Sequence, residues 1–365
     1  MNNDKRQEKV DNNIKKLNLS KRMDNESNLP TWTFVGAWNK SLDEMDRYGA
    51  YKRDYIWASQ LGNSQIDIWL ALNGTEPSNN FDIRAKRKFD AGVLWEWIAE
   101  LVAKRAGIFL HKQDRVEYGF EDTIKVVGKF DLMIGGKRNL KMIEDVKKAL
   151  EIISLPDRFV KAMDSVEKNM NFETTLPARI LEVKSSSAFM YEAQYKKGIP
   201  SENHALQCLH YLLATEMNEG AILYISKDDA RMMEIPIWRD DKMLNDKYRE
   251  ILELATYYYR NKEKPPLEPT IIFDYNKGKF GDNWNIKYSA YLTMLYGFEA
   301  ESNYQDAFKS KIAAWNRVLG RIKKEKRITE ANLAYMTEIK KSFPNLKEIV
   351  QYFKLDNKRK EGDNL

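Results

Sequence analysis

The sequence contains few of the residues that build disulfide frameworks and soft-metal sites. Among its 365 residues there is one cysteine, Cys208, and there are three histidines, His111, His204 and His210. A single thiol excludes an internal disulfide and a four-thiolate zinc or iron–sulfur site. So few imidazoles also disfavour a zinc site of nitrogen and sulfur ligands. A catalytic metal would therefore depend on carboxylate oxygens, which favours Mg²⁺ or Mn²⁺.

Long apolar runs and nucleotide-binding loops are absent as well. No apolar run approaches the roughly 20 residues that span a bilayer, and the polar N-terminus lacks the apolar stretch of a signal peptide. We therefore expect a cytoplasmic protein without membrane contact. Since no GxxxxGK[ST] loop occurs, nothing in the sequence supports an attached helicase motor.

The charge balance is only mildly basic. The chain has 60 basic and 54 acidic residues, a net charge of +6, which is compatible with a polyanionic partner. Basic residues cluster at positions 84–88 and 321–327. Such clusters are often solvated helix faces, but the second one suggests a C-terminal handle for nucleic acid.

Composition divides the chain into three parts. We expect residues 1–29 to form a polar, disordered arm. Residues 30–265 form a core with a helical N-terminal part and a helical insertion at 138–176. Residues 266–365 form a mainly helical, basic C-terminal region, beginning at the prolines of positions 265, 266 and 269.

Hydrophobic periodicity predicts the elements of the core. A long amphipathic helix should cover 84–108 and end at Gly107, with its apolar side formed by Phe89, Val93, Leu94, Trp97, Ile98, Leu101 and Val102. The remaining elements are a hairpin (115–121 and 123–134), a strand (178–185), a helix (204–217), two strands (221–226 and 232–238) and a helix (241–261). This order predicts an α/β fold with a mixed central β-sheet flanked by helices and with helical additions at both ends.

Two of the predicted strands carry acidic residues. Asp131 lies in an apolar stretch, where an unpaired carboxylate is costly; the alternative is an edge-strand aspartate that faces water. Glu182 and Lys184 project from the same face of their strand because side chains alternate. Glutamate and lysine on a wet sheet face are common, so this spacing alone indicates little.

The combination is more informative than either strand. Two converging carboxylates repel each other unless a divalent cation lies between them. Such a cation lowers the pKa of a bound water and stabilises charge on a phosphate oxygen. A neighbouring lysine can orient that water, accept its proton or stabilise the transition state. The pattern predicts hydrolysis of phosphodiester bonds.

Gly128-x-x-Asp131, Glu182-x-Lys184 and Gln207-x-x-x-Tyr211 occur in this order. The order resembles the signature of PD-(D/E)XK nucleases, in the RecB-like and phage lambda exonuclease-like branch, which has a restriction-endonuclease-like core. The resemblance spans roughly residues 55 to 295 and depends on the order of short motifs.

The resemblance implies roles for these residues. Asp131, Glu182 and the Val183 backbone carbonyl would hold the metal, and Lys184 would assist the attacking water. Gln207 and Tyr211, which share a helix face, would orient the lysine and contact DNA.

An upstream helix in this branch carries a further metal residue. Gly92 and Glu96 fit that motif, so Glu96 is a third acidic candidate, direct or through water; Glu100, one turn later, is the competing candidate. Some relatives bind an iron–sulfur cluster through four cysteines. Where those relatives have cysteines, this sequence has Ser64, Ile286 and Ser289. We therefore expect no iron–sulfur cluster.

The sequence therefore predicts a Mg²⁺-dependent deoxyribonuclease, with Mn²⁺ as an alternative ion and exonuclease or end-processing action favoured. This function would fit recombination, repair or phage DNA metabolism, and the gene could be a phage gene in a bacterial host. A partner in recombination or a single-strand-binding protein would also fit. Two alternatives stay open. One is a structure- or site-specific endonuclease with the same centre, and the other is a non-cleaving DNA-binding or assembly protein on the same fold.

Overall fold

The chain folds into two compact units. The first comprises residues 1–76 and 80–263, and the second comprises residues 77–79 and 264–365. The predicted arm at 1–29 lies outside the described residues. The computed structural model describes residues 34–45, 50–79, 82–153, 155–170, 173–274, 278–325 and 330–343.

The first unit contains both strands and helices. Its strands are β1 (Tyr55–Trp57), β2 (Phe109–Lys112), β3 (Arg115–Tyr118), β4 (Lys125–Lys129), β5 (Leu132–Gly136), β6 (Leu176–Ser186), β7 (Glu219–Ser226) and β8 (Met232–Trp238). Its helices are α1 (Phe34–Met45), α2 (Gln65–Leu72), α3 (Ile83–Ala106), α4 (Leu140–Ile152), α5 (Asp157–Asn169), α6 (Ala188–Lys197), α7 (Glu202–Thr215) and α8 (Lys242–Asn261). No helix in the described part of the chain is long and apolar enough to cross a membrane.

The main sheet has the strand order β2-β5-β6-β7-β8. Only the β6–β7 pair is parallel, and the other three pairs are antiparallel. Both faces of β6 are buried: Ile180 packs in the core that contains α7 and α8, whereas Leu181 and Val183 pack with alanines of α3. The predicted mixed α/β fold, a central sheet flanked by helices, is confirmed.

A smaller sheet has the order β1-β4-β3. The predicted hairpin is present as the antiparallel pair β3–β4, and β1 joins β4 in parallel. Side chains alternate between the two faces of this sheet. Ile56 and Val126 are fully buried in the main core, whereas Lys125 and Lys129 are exposed.

The predicted strand at 123–134 is wrong in one respect, because it is two strands. β4 ends at Lys129 and β5 begins at Leu132, and the two belong to different sheets. Asp131 lies in the bend between them and not inside a strand. The chain changes sheets here because β4 pairs with β1 and β3, whereas β5 pairs with β2 and β6. Apolar alternation continues through the break, so the sequence pattern does not reveal it.

The long helix α3 confirms the predicted extent, and Gly107 ends it in the left-handed conformation with φ of 74°. Its predicted apolar side is wrong over the first half. Phe89, Val93, Leu94 and Trp97 are between 47% and 61% exposed. Instead, Ala103 and Ala106, with partly buried Ala99, pack α3 against the sheet.

The insertion at 138–176 is helical, as predicted, and contains α4 and α5. Leu150 and Met163 pack against Leu101 of α3. Beneath them Arg105, which is 1% exposed, forms ion pairs of 2.6 Å with Asp164 and 3.0 Å with Glu167. The insertion is thus attached to α3 by an apolar cluster and a buried guanidinium.

The second unit contains a short hairpin and helices, whereas the sequence predicted a mainly helical region with no strand specified. Ile271 and Phe273 of this hairpin pack against Trp315 of α11. Of the predicted basic handle, residues 321–325 end α11, whereas 326 and 327 lie outside the described residues. The elements are β9 (Ile271–Asp274), β10 (Lys279–Asp282), α9 (Trp284–Lys287), α10 (Leu292–Tyr296), α11 (Glu301–Glu325) and α12 (Glu330–Ser342).

Candidate active site

The site begins where β5 stops covering the edge of β6. The last paired residues at that end are Leu132 and Leu181. Beyond them, the Val183 backbone N–H donates a 2.7 Å hydrogen bond to Oδ2 of Asp131. The Asp131 carboxylate therefore continues the hydrogen-bond ladder in place of a strand, which holds it against β6.

Glu182 and Lys184 project from the same face of β6, as predicted from their spacing. Glu182 is 1% exposed, and Lys184 Nζ donates a 2.6 Å hydrogen bond to its Oε1. Its other oxygen, Oε2, is buried and has no hydrogen-bond partner among the described residues. An unpartnered buried carboxylate oxygen is costly and is available to accept from a ligand.

The charged groups at this centre shift one another's pKa. Burial and then the neighbouring charge of Glu182 raise the pKa of Asp131 well above its usual value. Burial acts to lower the pKa of Lys184, but the carboxylates of Glu182, Asp131 and Glu96 outweigh it and raise that pKa. One ammonium group thus lies within electrostatic range of three acidic side chains.

The two glutamates of α3 have different surroundings. Burial, and to a smaller extent the charge of Glu182, raises the pKa of Glu96, whereas Lys184 lowers it, so Glu96 lies within electrostatic range of the centre. Glu100 is buried but bound elsewhere: Lys104 lies 2.6 Å and Lys112 2.8 Å from its two oxygens. This geometry favours Glu96 over Glu100 as the helical acid.

Helix α3 approaches β6 at Gly92. A Cβ atom on Gly92 would lie 3.6 Å from Ser185 Oγ, so the helix passes over β6 one turn before Glu96. The spacing between Gly92 and Glu96 then carries the carboxylate towards the centre.

Gln207 and Tyr211 lie on the face of α7 that covers β6. Gln207 Nε2 donates a 2.9 Å hydrogen bond to Tyr211 Oη. Burial and the charge of Glu182 raise the pKa of Tyr211, so the phenol stays protonated. Gly128 makes room for the ring, because a Cβ there would lie 2.6 Å from Tyr211 Cε1.

His210 and Cys208 of α7 are buried, and His204 is partly buried. His210 bonds to Tyr248 at 3.0 Å and His204 to Tyr224 at 2.9 Å, and burial lowers the pKa of each imidazole to about 3. Burial raises the pKa of the Cys208 thiol. Tyr224, the register partner of Lys184 on β7, is a neighbour that sequence reasoning missed, because cross-strand pairing leaves no local signal.

The residues that would hold a metal fit a hard cation in their chemistry. Asp131, Glu182 and Glu96 supply carboxylate oxygens, and the orphan Oε2 of Glu182 is a free donor. Within the described ranges, however, no three His, Cys, Asp or Glu side chains are grouped closely enough to form a metal cluster. The ligand set with the Val183 carbonyl therefore stays a prediction, as do the catalytic roles.

No protein-family model and no curated protein matches this chain. Solved structures similar to it include an alkaline exonuclease from Laribacter hongkongensis, with 12% identity over 58% of this chain and 94% of that chain and a TM-score of 0.34. The same enzyme in complex with dAMP gives 13% identity, 57% and 93% coverage and a TM-score of 0.34. A phage-related exonuclease from Haemophilus somnus 129PT gives 15% identity, 60% and 97% coverage and a TM-score of 0.25. Likeness at these TM-scores is too weak to support an argument about function.

Proposed function

We propose that this protein is a metal-dependent deoxyribonuclease that hydrolyses phosphodiester bonds. The observation that carries the proposal is the centre at which buried Glu182 accepts a hydrogen bond from Lys184 Nζ and Asp131 accepts one from the Val183 N–H, with Glu96 within electrostatic range. Buried like charges are costly unless a ligand compensates them. Such a centre is therefore more consistent with a catalytic role than with a purely structural one.

Asp131, Glu182 and the Val183 carbonyl would hold Mg²⁺ or Mn²⁺, with Glu96 direct or through water. When bound, that ion supplies positive charge that activates water and stabilises a phosphate oxygen. Lys184 Nζ, held by Glu182, would orient the attacking water and stabilise charge on the phosphate.

Gln207 and Tyr211 contribute by limiting motion and solvent at the centre. Their mutual hydrogen bond fixes the phenol, and the buried ring of Tyr211 packs beside Phe130, next to Asp131 in sequence. A rigid, partly dry surrounding strengthens each electrostatic interaction at the reacting phosphate.

Exonuclease or end-processing action is the form of this proposal that the motif resemblance favours. The test uses end-labelled linear DNA and closed circular DNA, each with Mg²⁺, Mn²⁺ or chelator. Mononucleotides or short oligomers released from linear DNA only, and only with metal, would support it. Discrete cuts in the circle would identify an endonuclease, and binding without cutting would identify a DNA-binding protein.

Two variants test the residues. Asp131→Ala and Lys184→Ala should each lower the rate of cleavage by at least about a hundredfold, because each removes a group that acts on charge in the transition state. Asp145→Asn and Lys148→Ala, two exposed positions of α4, are the matched controls and should keep full activity. Full activity in either site variant would refute the assignment.

A further inference from the structure

The outer face of the small sheet, defined by Tyr55 and Trp57 of β1, Arg115 and Glu117 of β3, and Lys125, Val127 and Lys129 of β4, combines cations with aromatic rings. These residues share a face because each strand alternates and the registers align them: Tyr55 pairs with Lys125, Trp57 with Val127, and Arg115 with Lys129. Val127 is buried at the middle of this face, and the three cations are exposed.

The guanidinium group of Arg115 is held in place by the rings. Its Cζ lies 5.5 Å from the centre of the Tyr55 ring and 5.8 Å from that of Trp57. These rings are themselves perpendicular to each other at 5.2 Å. Cation–π contacts orient a guanidinium without neutralising it, so its charge remains available to an anion.

Most of the positive charge on this face is not compensated. Lys125 forms an ion pair of 2.6 Å with Glu117. Across the described residues, neither Arg115 nor Lys129 forms a salt bridge, and the same holds for Arg260 at the end of α8. All three are exposed, and Arg115 interacts with the Glu117 carboxylate only at longer range.

Two of these cations, Arg115 and Arg260, line a cavity of about 610 Å³. Val127 lies at its floor, and Arg115, Lys125 and Arg260 line it together with the rings of Tyr55 and Tyr259. Asp54 and Glu117 also line it, so the balance at the cavity is three cations against two carboxylates. With Lys129 beside the cavity, the whole face is basic.

In sequence, β4 leads directly from this face to the candidate active site. Lys129 is the last residue of β4 and precedes Asp131 by two positions. At about 3.3 Å per residue, β4 extends about 13 Å from Lys125 to Lys129.

We propose that this outer face binds the sugar-phosphate backbone of the nucleic-acid substrate and leads it along β4 to the centre at Asp131. Arg115, Lys129 and Arg260 contact phosphates, and Tyr55 and Trp57 hold Arg115 ready for that contact. The inference rests on the proposed nuclease function and extends it by placing the substrate on a surface outside the catalytic residues.

The test is the salt dependence of binding to labelled single-stranded DNA in chelator, where no cleavage occurs. The variant Arg115→Gln, Lys129→Gln, Arg260→Gln removes three cations. Each lost phosphate contact reduces the slope of log K against log salt by about 0.7, so the slope should fall by about 2. If binding at about 1 M salt is unchanged, affinity at about 0.1 M salt should fall by about a hundredfold.

Two matched variants control for net charge and for folding. Lys148→Gln, Lys161→Gln, Lys168→Gln removes three exposed cations from the helical insertion and should leave the slope unchanged. The charge-conserving Arg115→Lys, Lys129→Arg, Arg260→Lys should keep the wild-type slope, which a structural role of the side chains would not predict.

The outcomes separate this inference from the nuclease proposal. If the wild type cuts DNA with metal but the triple glutamine variant binds with an unchanged slope, the face is not the substrate path and the nuclease proposal stands. If the wild type neither binds nor cuts DNA, both fail. Competition by polyglutamate as strong as by DNA would assign the face to acidic proteins and would also overturn the inference.

Discussion

Replacing Asp131 with asparagine removes one charge from the centre while keeping the shape of the side chain. The amide oxygen of asparagine can still accept the hydrogen bond that Val183 N–H donates to Asp131. The substitution removes the negative charge of the Asp131 carboxyl group. Burial, and then the charge of Glu182, raise the pKa of that group. We therefore expect Asp131→Asn to be inactive but more stable than the wild type at neutral pH in chelator.

The magnitude follows from the charges around Asp131. Two carboxylates, Glu182 and Glu96, repel it, and one ammonium group, Lys184, attracts it, so the net effect is that of about one repulsive pair. At an effective dielectric constant near 20, two unit charges ~8 Å apart interact by about 2 kcal/mol. A weaker hydrogen bond to the neutral amide offsets about 1 kcal/mol, whereas relief of desolvation adds to the gain. We expect a net stabilisation of about 1–2 kcal/mol, which raises Tm by about 2–8 °C.

The stability gained by Asp131→Asn should increase as the pH rises. Because the pKa of Asp131 is raised in the folded state, the folded protein binds this proton more tightly than the unfolded chain does. Ionisation therefore costs stability as pH rises from the unfolded value, about 3.9, through the folded pKa. The stability advantage of Asp131→Asn should be small at acidic pH and should grow towards neutral pH.

Thermal unfolding in chelator across this pH range measures the effect. Asp145→Asn, an exposed change on α4, removes the same charge away from the centre and should shift Tm little. A less stable Asp131→Asn at neutral pH, or an equal gain in the control, would show that the charges at the centre are not mutually repulsive as described.

Two further predictions concern packing and the choice of helical acid. Gly128→Ala should destabilise the protein by about 1–3 kcal/mol in urea unfolding, because the new Cβ meets Tyr211. The control is Gly281→Ala, whose added Cβ has nothing within 4 Å. Equal destabilisation by the two substitutions would contradict the packing argument. Glu96→Gln should reduce the rise in Tm that Mg²⁺ causes without lowering stability in chelator. Glu100→Gln should lower stability by about 1 kcal/mol, since it weakens two half-exposed ion pairs. It should leave the rise in Tm with Mg²⁺ unchanged. If instead Glu100→Gln reduced that rise and Glu96→Gln did not, Glu100 would be the metal residue.

The centre lies at an uncovered edge of β6, so acidic side chains can reach it from both faces of the sheet. Beyond Leu181, β6 has no strand partner on the β5 side, and Asp131 takes the place of that partner through the Val183 N–H. Acids can therefore approach from both faces of the sheet: Glu182 lies on the α7 side, whereas Glu96 comes from α3 on the other side. A complete strand at this edge would separate them.

Several features were predictable from the sequence because they depend only on local backbone geometry. Strand alternation put Glu182 and Lys184 on one face, and the hydrogen bond between their side chains agrees with it. Helical periodicity brought Gln207 and Tyr211 together. The left-handed conformation of Gly107 marks the end of α3, where a glycine is favoured.

Other features were decided only by tertiary structure, because they depend on partners far away in the chain. Apolar alternation continues from β4 into β5, so only pairing with different strands reveals the bend at Asp131. Glu96 and Glu100 lie one turn apart on α3. Lys104 and Lys112 form ion pairs with Glu100 and so distinguish its surroundings from those of Glu96. Periodicity describes which residues share a face, but the element that covers that face is set by long-range packing.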